Sequence, residues 1–70
     1  MKRIYINNKL EENLIYSLDL AQSLHLSKVI RLKLKDSLLI FNNLDGEWLA
    51  EIENINKKGI AIKCLNKISN

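Results

Sequence analysis

The sequence predicts a mostly β fold, a small antiparallel β-barrel of five or six short strands with one short helix between strands 2 and 3. Three observations predict it. Apolar and polar residues alternate in short runs at several places along the chain. Turn signals separate those runs at Asn7-Asn8-Lys9, Asp45-Gly46 and Lys57-Lys58-Gly59. One segment, beginning at Asp19, carries a helix start in place of alternation. A chain this rich in Ile and Leu needs its strand edges removed, and closure into a barrel removes them.

Arg3 to Ile6 reads as the first strand, with Ile4 and Ile6 inward and Arg3 and Tyr5 outward. Asn7, Asn8 and Lys9 break it, because Asn tolerates left-handed backbone. Leu14 to Leu18 is a second, weaker strand. Asp19 offers an N-cap with Gln22 at capping-box spacing, so a helix is expected over Leu20 to Lys28 with Leu20, Ala21 and Leu24 as its apolar stripe. After Ile30 the period changes, and Arg31, Lys33 and Lys35 alternate with Leu32 and Leu34 as an extended strand would require. Ser37 to Phe41 is apolar on both faces, which places it centrally. Trp48, Ala50 and Ile52 face inward from the next strand, and Glu47, Glu51 and Glu53 outward. Ile55 falls out of phase with Ile52, which calls for a bulge near Asn54. Ile60, Ile62 and Cys64 form the inward face of the last strand.

At 70 residues there is room for one small domain with a thin core. The 47% apolar content is that of a globular chain. No run of about 18 apolar residues occurs, so no membrane span is expected. Met1 reads as a native start, and Met1-Lys2-Arg3 runs into a strand with no apolar leader behind it, so no secretory signal is expected. Cys64 has no partner for an internal disulfide, which fits a reducing, cytoplasmic setting; its phase with Ile60 and Ile62 makes it a small buried hydrophobe. A domain without staples at this size is marginally stable alone, and that favours a part of a longer protein or of an oligomer.

The charge is uneven. Lys28, Arg31, Lys33 and Lys35 lie within eight residues that hold no acid. The whole chain carries +3, so the other seven cations and the eight acids leave the remainder at −1. A local patch says more about a partner than a high isoelectric point does. Read as a strand face fixed from beneath by Leu32 and Leu34, the row is a track for phosphates; read blandly, it is a solvated or edge-protecting face. His25 is open to two readings as well, a side chain near the helix end favoured by the dipole there, or an RNA contact.

Catalytic chemistry is not legible. The two glycines, Gly46 and Gly59, serve turns, and no phosphate-cradling loop is present. A single His and a single Cys make no zinc set, and no Ser/His/Asp or Cys/His constellation exists. Glu51 and Glu53 share a face that looks solvated, which is a poor place for paired-carboxylate chemistry. What remains is a binding module with no cofactor of its own.

His25-Leu26-Ser27-Lys28-Val29-Ile30-Arg31-Leu32-Lys33 resembles the HLxxVLRLK signature of the ribosomal RNA small subunit methyltransferase E family. Arg3-Ile4-Tyr5-Ile6, Asp36 to Asn43 (DSLLIFNN), Glu47 to Ile52 (EWLAEI) and Lys57-Lys58-Gly59 resemble its other early stretches in order and spacing, so the likeness covers nearly all of the chain. The resemblance implies that residues 1–70 are a PUA-like RNA-binding domain, which positions 16S ribosomal RNA for methylation of a uridine at N3. It implies that the chemistry belongs to a C-terminal SPOUT domain that binds S-adenosylmethionine, forms a homodimer, and would begin near Asn70. It makes His25, Lys28, Arg31, Lys33 and Arg3 the RNA-facing candidates; Lys35 joins them as an added charge beside the patch, and Tyr5, outward on the first strand, offers a stacking surface. Two positions depart from the family: Lys35 and Asn43 stand where it has Gly, so the turn before Ser37 is expected to differ in shape. The competing expectation is a protein-docking barrel with an exposed apolar patch that includes Leu49 and Leu65.

Overall fold

The computed structural model describes residues 1–69. Five strands, β1 (Arg3–Tyr5), β2 (Ile15–Ser17), β3 (Ser37–Asn42), β4 (Gly46–Asn56) and β5 (Gly59–Ser69), form one sheet in the order β1-β3-β4-β5-β2. The helix α1 (Leu20–Leu24) lies between β2 and β3 and continues as a π-helical segment, His25–Ile30. The mostly β class, the five strands and the position of the helix are as predicted.

Two features of the sheet differ from a closed antiparallel barrel. β1 pairs with β3 in parallel, Arg3 opposite Leu39 and Tyr5 opposite Phe41. Parallel neighbours need a long crossover, and β2 with the helix supplies it. The sheet is also open between β1 and β2, its two edge strands. Each is three residues long, and such short edges offer little template for another chain. The helix bridges the gap: Gln22 Nε2 donates to the Tyr5 carbonyl at 3.4 Å, and the Ser23 hydroxyl accepts from the Ile60 amide at 2.9 Å.

The long β4–β5 hairpin is the spine. Its register shifts between Glu47 and Trp48, between Leu49 and Ala50, and between Ile52 and Asn54. The last shift is the bulge that the phase slip before Ile55 requires. Bulges increase local twist, which curls the ribbon around a core of Ile4, Ile6, Leu26, Leu38, Ile40, Ala50, Ile52, Ile60, Ile62 and Cys64. Trp48 and Leu32 pack against its rim.

The helix begins as expected. Asp19 Oδ1 accepts from the Gln22 amide at 2.7 Å, although Gln22 spends its own side chain on Tyr5 rather than returning the bond. Its inward face is not the predicted one. Leu20 is 59% exposed and Leu24 47%, while Ser23 and Leu26 are buried. The helix is seated by a polar bond to β5, and that bond sets its rotation.

The extended stretch expected over Arg31 to Lys35 does not form. Arg31 ends the helix in left-handed backbone, φ 63°, and the Leu32 amide donates back to the Leu26 carbonyl. Lys33 to Asp36 is a turn, closed by Asp36 N–H to the Lys33 carbonyl and by Lys33 N–H to Asp36 Oδ2. Lys35 is also left-handed, φ 70°, in backbone that glycine adopts without strain. Helix-ending and turn bonds outweigh five residues of Leu/Lys alternation, because alternation gains nothing without a paired strand alongside. Leu34 is accordingly 55% exposed.

Gly46 and Gly59 take positive φ in their turns as expected, but the left-handed asparagine lies elsewhere than expected. Asn13 has positive φ, not Asn7, Asn8 or Asn43. The β3–β4 turn is held instead by Asn42 Oδ1, which accepts from the Leu44 and Asp45 amides, and by Gly46 at φ 81°.

Gly59 closes the β4–β5 turn at φ 138°, and a Cβ there would meet Ser23 Oγ at 2.8 Å. Gly59→Ala is therefore expected to cost roughly 1–3 kcal/mol in urea unfolding. Ser23→Ala, which orphans the Ile60 amide, should cost about 1–3 kcal/mol. The double variant should cost less than the sum of the two, because the steric conflict needs both side chains.

Candidate nucleic-acid interface

The predicted contact residues fall into two neighbouring groups and one that is held apart. The first group lies where the outward residues of β1 meet the exposed flank of the helix. Lys2 Nζ donates to His25 Nε2 at 3.3 Å, and both side chains line a cleft with Arg3, Tyr5 and Gln22. His25 is exposed, at the junction of α1 with the π-helical segment. Arg3 is braced from two sides. Its Nε is paired with Glu47 Oε2, and its Cζ lies 4.9 Å from the centre of the Phe41 ring. Tyr5 stands edge-on to Phe41, with centroids 5.7 Å apart and planes at 74°. The Arg3 terminal nitrogens have no partner among the described residues, so the guanidinium keeps a fork of donors for an incoming anion.

The second group follows the helix out. Lys28 lies in the π-helical segment, Arg31 at its left-handed end, and Lys33 on the turn beyond it. All three are exposed, and none takes part in an ion pair among the described residues. They surround the end of a helix instead of lining a strand. The positive potential there survives the loss of the extended geometry, since it depends on uncompensated charge and not on alternation.

Lys35 is different. Its Nζ lies 3.2 Å from Glu51 Oε2 and 3.8 Å from Glu53 Oε1, across from the outer face of β4. Glu53 Oε1 is enclosed and accepts no hydrogen bond, so Lys35 is the cation that offsets it. The bond to Glu51 raises the Lys35 pKa above its ordinary 10.5, with the charges of Glu51 and Glu53 adding to it. Two of the six candidates, Arg3 and Lys35, are thus paired with β4 carboxylates.

Sequence reasoning missed Lys2 and the acids. The Lys2-Arg3 pair ahead of a strand was a signal for the first. The acids were read as solvated, because no local pattern shows that a loop cation returns across the sheet to meet them. Cys64 carries no chemistry at the site: it is fully buried, and burial pushes its thiol up to about 11. No helix among the described residues is long and apolar enough to cross a membrane.

The Lys35 clamp has a defined pH window. A raised lysine contributes its full stability below the unfolded value and loses it as pH rises through the folded one, so the clamp holds through neutral pH and opens only in strong base. Titration of the Lys35 side chain by NMR should give a midpoint above that of the free side chain, and Glu51→Gln should bring it back toward 10.5.

Comparison with known proteins bears on this arrangement. The model of the RNA methyltransferase PUA domain matches residues 18–65. Ribosomal RNA small subunit methyltransferase E of Rickettsia conorii is 44% identical over 62 residues, covering 87% of this chain and 25% of the relative. The protein of the same name from Buchnera aphidicola of Acyrthosiphon pisum is 41% identical over 66 residues, covering 94% of this chain and 26% of the relative. The chain thus spans about a quarter of the length of these curated relatives. A methyltransferase from Legionella pneumophila, solved in complex with bound SAM, superposes with a TM-score of 0.81 at 25% identity, over 91% of this chain and 26% of that one. The match over most of the chain, in sequence and in fold, means that this chain belongs to the RNA methyltransferase PUA domain family.

Proposed function

We propose that this domain grips small-subunit ribosomal RNA and positions it for a methyltransferase domain of the same protein. In this reading the parent enzyme methylates a uridine of 16S rRNA at N3, takes its S-adenosylmethionine and its dimer contacts from a SPOUT domain, and works in the cytoplasm. The names of the relatives support the reaction class. The observation that carries the reading is the uncompensated cationic end of the helix, Lys28, Arg31 and Lys33, beside the cleft of His25 and Arg3.

Each side chain has a task that suits its chemistry. Arg31 offers a bidentate fork to a phosphate or a plane on which a splayed base stacks. Lys28 and Lys33 act as point charges along the backbone. Arg3, stacked on Phe41 and paired with Glu47, is pre-oriented and loses little side-chain entropy on binding. Lys35 adds charge to the surface, offset by Glu51 and Glu53, and therefore contributes less than its neighbours.

A docking role has its own support, though not where it was expected. Leu49 and Leu65 are half-buried, whereas Leu20, Leu24 and Val29 are exposed on the helix. Such a surface binds without salt dependence, whereas phosphate binding releases counterions.

Binding to a 16S rRNA fragment should weaken with salt, and Arg31→Ala and Lys33→Ala should each flatten the log-log slope by about 0.7–0.9. Sedimentation at two salt concentrations measures this. Slopes unchanged in both variants would reject the cationic surface.

A further inference from the structure

Beyond the cationic surface, the structure holds a second recess, between the loop after β1 and the β3–β4 turn. It is lined by Tyr5, Asn7, Asn8, Asn43 and Asp45, with Asn42 at its base. Neither group of cations lines it, and its chemistry is different: neutral amides, one aromatic ring and one carboxylate, with Ile6 and Leu44 as apolar wall and Lys9 as a cation beside them.

The frame of this recess is built. Asn42 Nδ2 donates to the Asn8 carbonyl at 2.7 Å and to Asp45 Oδ2 at 2.8 Å, which ties the two loops together. Asp45 Oδ2 also accepts from the Leu10 amide at 3.1 Å. The Tyr16 hydroxyl fixes the far side of the loop, donating to the Lys9 carbonyl at 2.7 Å and accepting from the Glu11 amide at 3.2 Å. By contrast, the side-chain amides of Asn7, Asn8 and Asn43 and the Asp45 Oδ1 make no hydrogen bond among the described residues. Donors and acceptors are therefore available on a rigid base. The bonds from Asn42 and Leu10 hold the Asp45 carboxyl below its ordinary range, so it is anionic at neutral pH.

Lys9 is paired with Glu11 at 3.2 Å, so the charge left to meet a ligand in the recess is the Asp45 carboxylate, which favours N–H donors. Tyr5 is 42% exposed and lines both this recess and the cationic cleft beside the helix. A strand held by its phosphates at the cleft can thus turn a base over the Tyr5 ring and into the recess. We propose that the recess reads one unpaired guanine of the bound RNA, with Tyr5 as the stacking surface, the free Asp45 Oδ1 accepting from the Watson–Crick N–H groups, and the amides of Asn7 and Asn43 completing the edge. Guanine presents two adjacent N–H donors on that edge and a carbonyl that an amide can reach. Uracil places one N–H between two carbonyls, which the carboxylate disfavours. Single-stranded RNA is commonly read in this way, by stacking together with the Watson–Crick edge.

This rests on the RNA-binding reading, and the test separates the two. Fluorescence anisotropy of the whole chain is measured with an all-uridine oligonucleotide and with the same strand carrying one central guanosine. The guanosine strand should bind about tenfold more tightly, as expected for one well-matched polar edge, and Asn7→Ala with Asn43→Ala should bring the ratio of the two dissociation constants toward one. Both asparagines are exposed, which spares the fold. In addition, NMR signals of the Asn7, Asn8 and Asn43 side-chain amides should move with guanosine monophosphate and not with uridine monophosphate. A ratio near one in the unsubstituted chain, with salt-dependent binding intact, overturns the base-reading recess and leaves the RNA grip standing. A preference that persists in the double variant, or amide signals that do not move with guanosine monophosphate, also overturns it. Failure to bind either strand defeats both proposals.

Discussion

The hydrogen bond from the Ile60 amide to the buried Ser23 hydroxyl governs the placement of the functional surface. It joins the helix to the longest hairpin at its turn, where Gly59 has no side chain to obstruct the approach. With Ser23 inward, Leu26 follows one turn later into the core, and His25 is left outside beside Lys2. The helix then ends at Arg31, and the cations after it leave on a loop. A polar anchor is directional in a way that an apolar stripe is not, and one hydroxyl, together with Leu26, sets the rotation of a helix that leaves Leu20 and Leu24 exposed.

Charge is arranged with similar economy. The outward acids of β4 lie close to cations that reach them from two separate parts of the chain, Glu47 to Arg3 and Glu51 with Glu53 to Lys35. These exposed pairs add little stability individually. Their larger effect is on the field: they cancel charge over the outer sheet and leave it standing at the end of the helix. The domain thereby has a directional positive face, although the chain as a whole carries only +3.

Much of this was legible in the residues. Ile4, Ile6, Ile60, Ile62 and Cys64 face inward as their alternation requires, the Asp19 cap forms, and the slip between Ile52 and Ile55 marks a real bulge. These features are local, and local spacing reports them. The parallel pairing of β1 with β3 is not local and has no signature in either strand. The Leu/Lys alternation at 31–35 misled because periodicity records which residues could share a face, not whether a neighbouring strand is present to pair with them. Two non-glycine residues in left-handed backbone, Arg31 and Lys35, complete the departure, since glycine is the usual mark of such positions. Of the candidate site, the residue identities were visible. Their grouping into a cleft, a helix end and a clamped lysine followed from contacts between distant parts of the chain.

The parallel partnership of the first strand with the third has a consequence for synthesis. Each β1 residue waits for a mate thirty-six positions later, as Ile4 does for Ile40. At translation rates of roughly 5–20 residues per second, the leading Ile4 and Ile6 spend some seconds in solvent before their places in the sheet exist. The first strand must stay unpaired during that interval, and the flanking Lys2, Arg3 and Lys9 suit it to that wait by keeping a short apolar strand charged on both sides.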